Sequence, residues 1–238
     1  MELRILGSHN MERRDTRFQT HLIDGILALD AGGLTRSLTF EEQENIQAII
    51  LTHPHFDHIR DLLPFGLTMR DSGVTVDVYG IKDTLDFVAE KLMEGSLYPP
   101  FLEFLSPETP IYSMQEIEPL KDFQVLDYTV KAVPVPYAVP AVGFMISSDD
   151  VSVFYTGDAG RGVSDAWQHA APDVVLTEVT FRNRGEQTAI DSVHMTPAYL
   201  RKDVVRIQTA KRVSAQNDCR THNPSLRGRN KGRGQAFG

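Results

Sequence analysis

Apolar and polar positions fall into short blocks along most of this chain, and the blocks predict strands divided by helices. Leu3 to Leu6 reads as a first strand. His21 to Asp24 and Ile26 to Asp30 flank Gly25 and predict a hairpin, after which Ala31-Gly32-Gly33 makes a turn. The unbroken apolar run 46–51 predicts a core strand, and residues 57–71 continue at helical spacing. Val74 to Tyr79 predicts a further strand, and Ile81 to Met93 a helix. Strands resume at Gln124 to Val135, Val142 to Ser147 and Val151 to Tyr155, with Asp149-Asp150 turning between the last two. Asp173 to Thr177 predicts one more buried strand. Thr196-Pro197 then opens a helix, with threonine as N-cap and proline at the first helical position. Strands alternating with helices, and hairpins at both ends, imply a layered α/β sandwich.

Two segments break the pattern. Residues 96–115 are irregular and aromatic (Tyr98, Phe101, Phe104, with prolines between), which suits a lid or pocket wall as well as a packed loop. Ser214 to Gly238 has almost no apolar periodicity and reads as a basic tail, either disordered or an arm for nucleic acid or a membrane surface. The net charge of −8 conceals this division. Residues 201–238 hold 10 Lys or Arg against 2 acids, whereas residues 1–200 hold 14 against 30, a net of −16. An acidic body repels polyanions, so nucleic acid is not favoured as its substrate, while a small anion remains compatible with a cation site. No apolar stretch approaches the ~20 residues of a membrane span. The single cysteine, Cys219, excludes an internal disulfide and suits a reducing compartment, so a cytoplasmic location is expected. A homodimer is left open.

The densest chemistry lies directly after the strand 46–51. Leu-Thr-His-Pro-His-Phe-Asp-His packs His53, His55, Asp57 and His58 into six positions at a strand-to-helix junction. Alternate residues at a strand end share a face, so these side chains can converge. Imidazole and carboxylate together suit zinc, manganese or iron. Two further signals follow strands. Thr156-Gly157-Asp158 places a carboxylate beside a glycine, and Ser192-Val193-His194-Met195-Thr196-Pro197 places a histidine just ahead of a helix.

Taken together, these motifs resemble the metallo-β-lactamase superfamily. His53 to His58 looks like its HxHxDH motif, with Gly157-Asp158 and His194 where its later motifs fall. Leu29-Asp30-Ala31-Gly32 resembles the first motif, whose aspartate is structural and near the metals. The similarity spans about residues 1–205, leaving 206–238 as the tail. Val139 to Phe144 and Ser192 to Pro197 look like class II cyclic-nucleotide phosphodiesterases and tRNA-3′-processing nucleases. The resemblance implies a four-layer αβ/βα sandwich with one or two metals, zinc foremost, at one edge. It implies His53 and His55 on the first metal, Asp57, His58 and His194 on the second, and Asp158 bridging both. A metal-bound hydroxide would then attack, with Asp57 orienting it and a protonated His or Asp assisting the leaving group.

One position departs from that pattern. Where the family places a third histidine on the first metal, this chain reads Val135-Pro136-Tyr137-Ala138. A phenol ionises near pH 10 and ligates poorly until it does. The resemblance thus implies a small-anion hydrolase, with a phosphodiester as leading substrate. A lactone, a lactam or a tRNA precursor stands as an alternative, as does a metal-binding protein without turnover. His9 follows the first strand and could reach the metal-bearing edge; Arg13, Arg14 and Arg17 read as surface residues, and His169 as a surface or core-packing residue.

Overall fold

Side chains of a strand alternate between two faces. In the computed structural model, which describes residues 1–103 and 109–205, that alternation builds a core on each side of two stacked sheets. The first sheet runs in chain order through β1 (Leu3–Gly7), β2 (Thr20–Ile23), β3 (Leu27–Leu29), β4 (Ala48–Ile50), β5 (Val76–Gly80) and β6 (Tyr112–Glu116). Its first two pairings are antiparallel and the other three parallel. The second sheet holds β7 (Asp122–Val125), β8 (Tyr128–Pro134), β9 (Val142–Ser147), β10 (Ser152–Tyr155) and β11 (Val174–Leu176), antiparallel except for the β10/β11 pair.

Three apolar clusters mark the interfaces. Ile23, Leu27, Leu29 and Ile50 meet Val130, Phe144, Ile146 and Tyr155 between the sheets. The opposite face of the first sheet, with Leu22, Ala28, Ile49 and Val78, is covered by α1 (Leu34–Ser37), α4 (Leu62–Met69) and α5 (Lys82–Lys91), with α2 (Phe40–Glu44) and α3 (Phe56–Ile59) between α1 and α4 in the chain. The outer face of the second sheet, with Val133 and Phe154, packs on Ala166, Met195 and Tyr199. Tyr199 belongs to a helix over 197–205. The four layers are those expected of the metallo-β-lactamase fold.

Several elements differ from the sequence reading. The helix expected over 57–71 is two, α3 (Phe56–Ile59) and α4. Pro64 explains the break: a continuous helix would need its missing N–H on the Arg60 carbonyl, which its ring would also strike. Asp61 is instead drawn off, its N–H bonding Ala31 O at 2.7 Å and its carboxylate accepting from Thr35 N and Oγ1 at 2.8 Å each. The strand expected over Gln124 to Val135 is a hairpin turning at Leu126-Asp127, where Leu126 takes a positive φ of 52° that leucine does not advertise. β6 begins inside the segment expected to be irregular. In the described part of that segment Phe101 is fully buried in the helix-side core, against Tyr112, while Leu97 is exposed. β11 is an edge strand with Val174 and Val175 exposed at 46% and 38%, not the buried strand expected. Thr196 does cap its helix, accepting from Tyr199 N. No helix among the described residues is long and apolar enough to cross a membrane. The basic tail, including Cys219, lies outside the described residues, as does Phe104.

Candidate metal centre

The loops that follow β3, β4, β8, β10 and β11 end at one edge of the sandwich and carry the candidate residues. Parallel strands deliver their C-terminal ends to the same side, which is why residues so far apart in sequence meet there. Two glycines permit the close approach. A Cβ on Gly32 would lie 1.7 Å from the Asp57 carbonyl oxygen, and one on Gly157, at φ +59°, would lie 2.8 Å from the Thr52 side chain.

Asp30 is the buried hub. It lies at φ 56°, a region aspartate tolerates, and is fully inaccessible. Its carboxylate accepts from Thr52 N at 2.8 Å, Thr52 Oγ1 at 2.9 Å and Tyr155 Oη at 2.7 Å, and bonds His58 Nδ1 at 2.7 Å. Thr52 Oγ1 in turn lies 3.0 Å from His53 Nδ1. Both imidazoles are therefore held by Nδ1, with Nε2 turned inward. Each Nε2 is buried without a hydrogen-bond partner. His58 Nε2 stands 3.4 Å from Asp158 Oδ1 and 3.8 Å from Asp57 Oδ2, and His53 Nε2 3.9 Å from Asp158 Oδ2.

This arrangement fits a divalent cation. Buried imidazole nitrogens are rarely left unsatisfied, and nitrogen lone pairs facing carboxylates form a ligand set once a cation replaces a proton. Ligand atoms of His53, His55 and Asp158 lie within 4.8 Å of one another, and so do those of Asp57, His58 and Asp158. Asp158 is thus common to both groups. His194, in contrast, is grouped with Asp158 and Glu178. Its Nδ1 lies 2.7 Å from Glu178 Oε1.

Tyr137 occupies the middle of the cluster. Its hydroxyl donates to Asp158 Oδ2 at 2.9 Å and lies 3.1 Å from His55 Nδ1 and 3.3 Å from His194 Nε2. Burial and the Asp158 carboxylate push its ionisation far above the usual phenol range, so it is a neutral donor here. Charges elsewhere follow burial and neighbours. Burial lowers His53 and His55. Burial would lower His58 as well, but the Asp30 and Asp158 carboxylates raise it well above the imidazole range. Burial would raise Asp158, and the nearby charge of His58 brings it below the carboxylate range. Asp57 is raised by burial, while His194, despite burial, is raised by Glu178.

Glu178 escaped the sequence reading. It follows β11 and is 8% exposed. Besides His194 it accepts from Ala159 N at 3.0 Å, Thr180 N at 3.1 Å and the Thr180 hydroxyl. The available signal was its place in Thr177-Glu178-Val179-Thr180, an acid at a strand end like Asp30 and Asp158. His9 lines a cavity of about 400 Å³ beside Asp57 and His58. Arg13, Arg14 and His169 are exposed, and Arg17 donates to carbonyls of its own loop.

Residues 21–222 match the family model described as beta-lactamase superfamily domain. A curated octanoyltransferase of Porphyromonas gingivalis is 28% identical over 145 residues, 57% of this chain. The match spans only 27% of that relative's length. Among solved structures, yeast PDE1 superposes with a TM-score of 0.73 at 14% identity, covering 87% of this chain and 82% of that one. The short form of human tRNase Z gives 0.64 at 17% identity, covering 87% and 89%. The chain belongs to the metallo-β-lactamase superfamily.

Proposed function

We propose that the chain hydrolyses phosphodiesters of small anionic substrates, cyclic-nucleotide-like in class, with the help of zinc or a similar divalent cation. The observation that carries this reading is the pair of buried, partnerless Nε2 atoms on His53 and His58, both facing Asp158. His53, His55 and Asp158 would hold one cation and Asp57, His58 and Asp158 a second. A cation held there supplies Lewis acidity, lowering the pKa of a water molecule and offsetting charge on phosphoryl oxygens. The likeness to yeast PDE1 and human tRNase Z supports a phosphoester substrate. The acidic body favours a small ester over a tRNA.

The protein's own groups orient and move protons. Asp30 and Thr52 fix His58 and His53 by Nδ1, so that each presents Nε2. Asp57, at the mouth of the cavity, has a carboxyl raised by burial and accepts the proton of the attacking water. Glu178 holds Nδ1–H of His194 and favours its charged form, so His194 delivers a proton from Nε2 to the departing oxygen. His194 belongs to neither the His53/His55/Asp158 nor the Asp57/His58/Asp158 group, so we assign it to proton transfer in place of the ligation implied by the resemblance.

The leaving group tests this directly. His194→Ala is expected to slow a cyclic nucleotide, which expels an alkoxide, by about 10²–10⁴-fold. The same variant should slow bis(p-nitrophenyl) phosphate, whose phenolate departs unaided, far less, with bound metal unchanged. Equal losses on both substrates, or loss of metal, would return His194 to the ligand set. Tyr137 favours a second reading, a metal-binding protein without turnover, because the His53/His55/Asp158 group lacks a third imidazole.

A further inference from the structure

The cavity of about 400 Å³ opens beside Asp57, His58 and Asp158, at the end of the gap between the sheets. This is within the range of roughly 300–1,000 Å³ of small-molecule sites. Its exposed rim comes from the loop after β1, with Ser8, His9 and Asn10, and its far wall from Leu176 to Thr180. His21 also lines it. That side chain is 1% exposed, and neither ring nitrogen has a hydrogen-bond partner. Tyr155 meets the ring edge-on at 5.0 Å. Burial lowers its pKa to about 4, leaving a neutral imidazole with one donor and one acceptor. Carboxylates line the cavity, and among the lining residues there is no lysine or arginine.

Away from Asp57, His58 and Asp158, a second phosphate or carboxylate on the substrate would meet Glu178 with no lysine or arginine among the lining residues to balance it. An uncharged group with donors and acceptors would instead satisfy His21, whose isolation is otherwise a cost. We propose that this cavity receives the uncharged, hydrogen-bonding organic substituent of the substrate, of nucleoside class, and that His21 determines its selection. The kinetic arm of this proposal rests on the phosphodiester reading; the binding arm does not.

The test measures binding of adenosine to the protein as purified by saturation-transfer NMR, together with turnover of bis(p-nitrophenyl) phosphate and thymidine 5′-p-nitrophenyl phosphate. Adenosine is expected to bind wild type, and His21→Phe to weaken it at least 5-fold, whereas His21→Gln retains most of the affinity. The same His21→Phe change should lower kcat/KM for the thymidine diester about 10-fold and that for bis(p-nitrophenyl) phosphate less than 3-fold. Ser8→Trp, which fills the rim from an exposed position, serves in the same assays should His21→Phe not fold. Absent adenosine binding, or affinity unchanged in these variants, overturns the pocket. Adenosine binding that depends on His21 without turnover of any diester overturns the phosphodiester reading and leaves the pocket standing.

Discussion

Tyr137 sits where three potential ligands converge, and its hydroxyl spends its proton on Asp158. A neutral phenol there contributes a donor and no charge, so the His53/His55/Asp158 group stays one imidazole short. Tyr137→His should therefore raise bound metal towards two per chain and raise the hydrolytic rate. Elemental analysis beside a turnover assay checks this, and unchanged stoichiometry and rate would remove Tyr137 from the account. His21 gives a second residue-scale expectation, now for stability. Its folded pKa of about 4 lies below the usual 6.5, so between these values the unfolded chain binds more protons than the folded one. Stability then rises with pH across that window and is lost as pH falls through it. Urea unfolding at pH 4.5 and 7 should show a larger loss for wild type than for His21→Phe; equal losses would contradict the assignment. The candidate ligands His53, His55, Asp57 and His58 were legible in the sequence because they stand together in six positions. Glu178 and His21 were not, because each is a lone polar residue whose meaning comes from partners brought in by distant strands.

At the scale of elements, the turn Ala31-Gly32-Gly33 and the break between α3 and α4 act as one device. Asp61 ties α1 to α4 through Thr35, while the Gly32 backbone lies against the Asp57 carbonyl. Gly32→Ala would force these apart. We expect a destabilisation of about 1–3 kcal/mol from the overpacking and a weaker metal affinity, since Asp57 and His58 move with that carbonyl. Chemical denaturation and metal titration of the variant measure the two effects; wild-type values in both would show that the approach is not needed. Strands at the sheet–sheet interface were legible because they are short, nearly unbroken apolar runs buried on both faces, as in β9 and β10. The hairpin at Leu126-Asp127 was hidden because no glycine or asparagine marks it, and β6 because Tyr112 and Met114 follow a proline-rich segment. Pro64 could have divided the helix over 57–71, had its missing N–H been counted against Arg60.

For the whole molecule, the two sheets bring Asp30 and His53 from one half to Asp158 and Glu178 from the other, across one edge. Val142 N bonds Thr52 O at 3.1 Å, so the sheets are joined beside the centre itself. A cation shared by both halves binds the folded chain and not the unfolded one. It should stabilise by roughly 4 kcal/mol at a thousand-fold excess over its Kd. Chelation should accordingly lower the melting temperature, and a melting temperature indifferent to chelator would contradict a cation bridging the halves. On the proposed reading, the acidic body, at −16 over residues 1–200, would add to a selection for small substrates. The central claim is that this edge is a metal-dependent hydrolytic site. The most direct measurement is turnover of bis(p-nitrophenyl) phosphate by chelator-stripped protein titrated with Zn²⁺. The account predicts no turnover at the start and a rise that saturates by two equivalents per chain. Turnover that survives stripping, or none at any occupancy, would contradict it.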